Sequence, residues 1–183
     1  MMDITTLGNQ RIDQKTFNQL LKHIKLKITE EYAFPPEIIT CGGATIATLG
    51  NFSASVGKPK SKKTFNVSAI VAAAISGKEI LGYKANLPKD KRKILYIDTE
   101  QSKYHCHKVL ERILQLAGLP LDKESRLIDF FVLREYTPEQ RRDIISLALR
   151  GESQYGLVVI DGVRDLLRDI NTPSEALDII NDL

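Results

Sequence analysis

The feature that most limits the fold is an alternation that begins near residue 51, where short apolar segments are separated by stretches of helical periodicity. Ile94-Leu95-Tyr96-Ile97 and Leu157-Val158-Val159-Ile160 carry no charged side chain at any position. A strand with one face in water alternates apolar with polar, so unbroken runs of this length belong to strands covered on both faces. Residues 127–133, apolar apart from Asp129, are expected to form another strand, and residues 52–56 a first, short one. Between these segments, Val67, Ile70, Val71, Ala74 and Ile75 fall on one helical face that closes at Gly77. Cys106, Val109, Leu110, Ile113 and Ala117 do the same before Gly118 and Pro120. Thr137-Pro138-Glu139-Gln140 has the spacing of a capping box, with proline at the first helical position, and opens a helix that runs to about Arg150. Thr172-Pro173-Ser174-Glu175 repeats that signal near the end of the sequence. The pattern predicts an α/β fold with a mainly parallel sheet flanked by helices.

Upstream of the alternation, Phe17, Leu20, Leu21, Ile24 and Ile28 make one apolar helical stripe, which the pair Pro35-Pro36 cannot continue. Residues 37–41 and 44–49 flank Gly42-Gly43, a two-residue hairpin signal. The expected organisation is an N-terminal helical segment, residues 1–34, lying outside a nucleotide-binding core of residues 35–183.

Composition narrows the class. With 43% hydrophobic and 27% charged residues, a chain of 183 residues can bury a core and does not read as disordered. No apolar run approaches the ~20 residues that cross a bilayer, and the first residues lack a signal-peptide layout. Cys41 and Cys106 cannot build a disulfide framework, so a reducing, cytoplasmic setting without membrane contact is expected. A net charge of +3 neither requires nor opposes a nucleic-acid partner.

In parallel sheets ligands gather at the carboxyl ends of the strands. After residues 52–56 comes Gly57-Lys58-Pro59-Lys60-Ser61-Lys62-Lys63-Thr64, close to the phosphate-binding pattern G-x-x-x-x-G-K-[ST]. Gly57, Lys63 and Thr64 match it, and Lys62 stands where the second glycine belongs. Lysine resists the left-handed backbone that glycine permits there. A loop entering a helix N-terminus offers unpaired N–H groups to phosphate, Lys63 would reach the β- and γ-phosphates, and Thr64 would hold Mg²⁺. Lys58, Lys60, Ser61 and Lys62 complete the nucleotide-binding loop; the plainer reading is a solvated lysine turn. The next strand ends in Asp98-Thr99-Glu100-Gln101-Ser102, where Glu100 can orient or deprotonate water, or the acidic pair can cap a helix. The last ends in Asp161-Gly162, either a Mg²⁺-supporting aspartate or an ordinary turn.

The order of these three strand ends resembles the RecA-like P-loop ATPases over residues 35–183. The nearest likeness is to the RepA-type, AAA-annotated ATPases of plasmids and mobile elements, in phrases such as Thr48-Leu49-Gly50-Asn51-Phe52-Ser53, Asp98-Thr99-Glu100-Gln101-Ser102 and Asp161-Gly162-Val163-Arg164-Asp165. The resemblance implies ATP and Mg²⁺ as cofactors. Gly57, Lys63 and Thr64 would bind nucleotide and metal, Asp161 would support the metal, and Glu100 would be the catalytic residue. It also implies a helicase-like ATPase coupled to replication or mobilisation of DNA, a single-stranded DNA partner and a ring of like subunits. RecA-like sheets carry a further strand beside that of Asp161, later in the chain, so the core is expected to be C-terminally truncated. Two other functions compete: a non-hydrolysing regulatory or scaffold module with an altered loop, and a small-molecule phosphotransferase.

Two further features carry less. On a helix His105 and His107 point about 200° apart and cannot share one metal ion. The basic run at residues 84–93 could meet phosphates but reads first as a solvated connector.

Overall fold

The computed structural model describes residues 12–58, 61–150 and 155–168. The chain divides into two compact units, Met1–Phe34 and Pro35–Leu183. In the first, helix α1 (Gln14–Ile24) opens at Asp13, whose carboxylate accepts the Thr16 N–H at 2.7 Å. The apolar stripe was expected to continue to Ile28, yet the helix ends at Ile24 and Ile28 is fully exposed. Lys25 turns extended, and the Lys27 N–H donates to the Tyr32 hydroxyl at 3.2 Å. A local side-chain acceptor thus competes with the next helical turn.

Among the described residues, the second unit holds two three-stranded sheets. Strands β1 (Glu37–Cys41) and β2 (Ala44–Thr48) form the expected hairpin. Gly42 and Gly43 both take positive φ, +56° and +85°, as a twisted two-residue turn demands. Strand β3 (Tyr83–Ala85) pairs antiparallel with the other edge of β1 and overlaps the start of what the sequence shows only as a basic connector, residues 84–93. Three residues are too few to display an alternation.

The second sheet is parallel and contains β4 (Lys93–Asp98), β5 (Ile128–Val132) and β6 (Tyr155–Asp161), in the order β5-β4-β6. Ile94, Leu95, Tyr96 and Ile97 of the central strand are wholly buried, as an all-apolar run requires. Successive side chains face opposite ways. Ile94 and Tyr96 pack with Val71 and Ile75 of α2 (Lys63–Ser76) and with Val109 and Ile113 of α3 (Lys103–Ala117). On the other face, Leu95 and Ile97 meet Leu133, Ile145 of α4 (Pro138–Arg150) and Leu166 of a 3₁₀ turn, Val163–Leu166. Each large aliphatic side chain so buried contributes roughly 1.5–3 kcal/mol. The α4 capping box forms in both directions: the Thr137 N–H donates to Gln140 Oε1 at 3.0 Å, and the Gln140 N–H to Thr137 Oγ1 at 3.3 Å.

One expected strand is corrected. Residues 52–56 are not a strand, and Phe52 and Val56 are 82% and 92% exposed. A strand exists only beside a neighbour that shares its hydrogen bonds, and among the described residues none runs alongside this segment. Ser53 instead donates its hydroxyl to the Ile46 carbonyl at 2.7 Å, tying the segment to β2. The cap signal at residues 172–175 lies outside the described residues.

Candidate functional site

The register of the parallel sheet sets Asp98 opposite both Val132 and Asp161, so the three carboxyl ends finish level. Helix α2 starts against this edge. Thr64, its second residue, donates its hydroxyl to Asp161 Oδ2 at 3.1 Å, and the buried Tyr96 hydroxyl donates to the same oxygen at 3.1 Å. A hydroxyl and a carboxylate oxygen that converge in this way are hard donors suited to Mg²⁺. Desolvation, and then the charge of Asp161, pushes the Tyr96 phenol well above its ordinary range, so it acts here as a donor.

Lys63, at the first position of α2, turns its amine back to the Gly57 carbonyl at 2.7 Å and closes the loop on itself. The Ser61 N–H donates to the Lys58 carbonyl at 3.1 Å. Lys60 lies outside the described residues, and Lys58 is exposed. Lys62 holds φ +61° and ψ +27°, the left-handed conformation for which the phosphate-loop pattern reserves glycine. A residue with a Cβ pays about 1–2 kcal/mol for that geometry. The Lys62 side chain makes no cap hydrogen bond to α2, and an N-terminus without such a cap is where helix N–H groups can meet an anion.

Glu100 follows β4 by two residues. Its carboxyl sits above the ordinary range, first through desolvation, then through the negative charges of Asp165, Asp161 and Asp98; Lys63 partly opposes the rise. The charges of the loop lysine Lys63 and the strand-end Asp161 therefore both act on the Glu100 carboxyl. A carboxylate shifted upward is a better proton acceptor near neutrality. Asp98, fully buried, accepts the N–H groups of Glu100 and Gln101 at 3.0 and 2.7 Å and the Gln101 side-chain amide at 2.8 Å. It therefore shapes the turn that carries Glu100, while Glu100 itself is exposed.

Several contributors escape the sequence reading. The buried Thr99 places its hydroxyl 2.8 Å from the Gly162 carbonyl and 3.3 Å from Asp165 Oδ2, so it joins the ends of β4 and β6. Arg141 of α4 donates to the carbonyls of Leu133 at 2.9 Å, Arg134 at 2.9 Å and Asp165 at 2.6 Å, fastening the segments after β5 and β6. Tyr96 had one legible signal, a lone hydroxyl in an aliphatic strand, two residues before a strand-end aspartate and so on the same face. His105 meets Ser102 Oγ at 2.9 Å and His107 meets Glu111 at 3.5 Å; among the described residues no group of histidine, cysteine or carboxylate side chains could hold a metal by itself. Lys84 and Lys93 of the basic run pair with Glu79 and Asp129. Among the described residues no helix is long and apolar enough to cross a membrane.

No curated protein and no solved structure matches the chain. A family profile described as an AAA domain matches residues 43–179, a span that takes in the loop, Glu100 and Asp161. With well over half of its length inside that profile, and with an α/β core to match, the chain belongs to the AAA domain family, a P-loop ATPase type.

Proposed function

We propose that residues 35–183 form a core that binds ATP with Mg²⁺ and hydrolyses it. The observation that carries this reading is the meeting of Thr64 and Asp161 beside Lys63 at the carboxyl ends of a parallel sheet. Lys63 would exchange the Gly57 carbonyl for the β- and γ-phosphates, supported by the α2 N–H groups and by Lys58, Lys60, Ser61 and Lys62. Thr64 and Asp161 would hold Mg²⁺, which supplies charge neutralisation at the phosphates. Glu100 would take the proton of the attacking water. The RepA-type likeness in Asp98-Thr99-Glu100-Gln101-Ser102 and Asp161-Gly162-Val163-Arg164-Asp165 favours coupling of that hydrolysis to single-stranded DNA within a ring of like subunits.

A second reading is favoured by one observation, the left-handed Lys62: a strained loop suits a nucleotide-binding module that does not turn over. Calorimetry with Mg²⁺–ATP and a phosphate-release assay with and without single-stranded DNA separate the two. The ATPase reading expects binding that Lys63→Ala abolishes, and release that DNA accelerates. Equal ATP affinity in wild type and Lys63→Ala sinks both readings; binding without release leaves the second.

A further inference from the structure

We propose that Tyr96 sets the metal selectivity of the nucleotide site, favouring Mg²⁺ over Ca²⁺ by occupying one oxygen of Asp161. The inference rests on the nucleotide reading above and adds to it a positioning residue that acts through Asp161. Asp161 Oδ2 accepts two hydroxyl hydrogens, from Thr64 at 3.1 Å and from Tyr96 at 3.1 Å. An ionised carboxyl offers about four lone-pair sites, shared equally between its oxygens. The two donors therefore fill Oδ2 and leave the lone pairs of Oδ1 to a cation. Thr64 is half-buried, so its hydroxyl can keep its hydrogen on Asp161 and still present oxygen lone pairs to a metal. Tyr96 is wholly buried and serves only to block.

The backbone leaves Tyr96 little choice of target. It pairs in register with Val159 of β6, two residues before Asp161. Side chains two apart in a strand share a face, and the step between them is about 6.6 Å, a length that tyrosine covers and serine or threonine cannot. The ring stacks on Phe130 of β5, with centroids 4.4 Å apart and planes 10° from parallel. The hydroxyl is thus held along the strand direction with its hydrogen on Asp161. Packing alone would be satisfied by phenylalanine, so the hydroxyl is accounted for by its bond to the carboxylate.

The two ions differ in what they ask of a carboxylate. Ca²⁺ gathers about six to eight oxygens in flexible geometry and accepts both oxygens of one carboxylate. Mg²⁺ demands near-octahedral geometry, keeps several waters and takes few protein oxygens. A carboxylate with a single free oxygen meets the needs of Mg²⁺ and denies Ca²⁺ its second contact. Removing the Tyr96 hydroxyl frees a lone pair on Oδ2 and opens two-oxygen binding. The competing role is structural, a buried donor that needs an acceptor. That role predicts lower stability when the hydroxyl is removed, with no change in the preference between the two ions.

The test is calorimetry of ATP binding to the full chain in saturating Mg²⁺, in saturating Ca²⁺ and with a chelator, for wild type, Tyr96→Phe, Tyr96→Met and the packing control Ile94→Val, with unfolding curves in parallel. The proposal expects wild type to bind ATP more tightly with Mg²⁺ than with Ca²⁺. It expects the ratio of the two affinities to fall about tenfold in Tyr96→Phe, with affinity in chelator unchanged. Tyr96→Met removes the donor with a chain that adapts to irregular space, and it decides the matter if the phenylalanine variant does not fold. Ile94→Val, on the same buried face, should lose stability and keep the wild-type ratio. An unchanged ratio in the folded Tyr96 variant, the same fall in Ile94→Val, or no preference in wild type would overturn the proposal. Lost affinity in chelator would overturn it too, by making Tyr96 a support of the loop. Failure of the nucleotide reading shows separately, as ATP affinity in Mg²⁺ insensitive to Lys63→Ala.

Discussion

Thr64 donates a hydrogen bond to Asp161 across 3.1 Å, although 97 residues separate the two. The bond ties the first turn of α2 to the carboxyl end of β6, so the loop and the strand-end aspartate hold a fixed distance. Thr64→Val keeps the shape and removes the donor, leaving Asp161 Oδ2 with Tyr96. We expect a loss of about 1–2 kcal/mol in denaturant unfolding and a loss of Mg²⁺ dependence in nucleotide binding. Unchanged stability would show the contact to be incidental.

Lys62 gives a prediction of opposite sign. Its backbone is left-handed, and its side chain makes no cap hydrogen bond. Lys62→Gly relieves the strain but gives the unfolded chain more freedom, so the net gain expected is about 1 kcal/mol. A higher melting temperature checks the strain. Tighter ATP binding alongside it would mean that the lysine had been holding the loop away from its phosphate-bound form.

The pH dependence of Glu100 follows from the direction of its shift. Its carboxyl lies above the ordinary 4.5, chiefly through desolvation. The folded chain therefore holds that proton more tightly than the unfolded one, and its ionisation costs stability as pH rises from about 4.5 through the raised value. Glu100→Gln removes an ionisation while keeping the shape. The variant should be more stable than wild type near neutral pH, and the gap should close as pH falls below 4.5. Paired unfolding curves at acid and neutral pH read this directly; a pH-independent gap would assign the effect to the amide itself. In the ATPase assay the same variant should bind nucleotide and fail to release phosphate.

The sequence carried the parallel core because β4 and the helices state their own environment. Ile94 to Ile97 can only be a strand covered on both faces, and Thr137 with Gln140 writes the start of α4 in two side chains. What it could not carry depends on neighbours. Residues 52–56 have the composition of a strand, but strand formation is decided by the segment alongside, which no local pattern encodes. β3 is the reverse case, three residues made into a strand by the free edge of β1. Among the candidate residues, the loop, Glu100 and Asp161 were proposed from order and spacing, and the structure brings Thr64 and Asp161 together. Thr99 and Arg141 were not, because a buried hydroxyl or guanidinium that joins carbonyls leaves no periodic trace. The left-handed Lys62 was foreshadowed by a mismatch to a pattern, which marked the backbone conformation required there.

Gly162 follows Asp161 at the end of β6, and its role separates into two measurable parts. Its φ is +98°, so any side chain there is strained. A Cβ would also lie 2.2 Å from Thr99 Oγ1 and 2.8 Å from Glu100 Cγ. Thr99 is buried and cannot swing away. Relief must come from the turn that carries Glu100, or from Asp161 one residue earlier. Gly77, at the end of α2, supplies the control: its φ is +66°, but nothing lies within 4 Å of a Cβ there. Gly77→Ala should cost about 1 kcal/mol, the backbone strain alone. Gly162→Ala should cost about 2–4 kcal/mol, strain plus overpacking, and should lower phosphate release in the molecules that remain folded. Equal costs at the two glycines would mean that the Thr99 contact relaxes freely. In that case the close fit between the ends of β4 and β6 is not what positions the turn that carries Glu100.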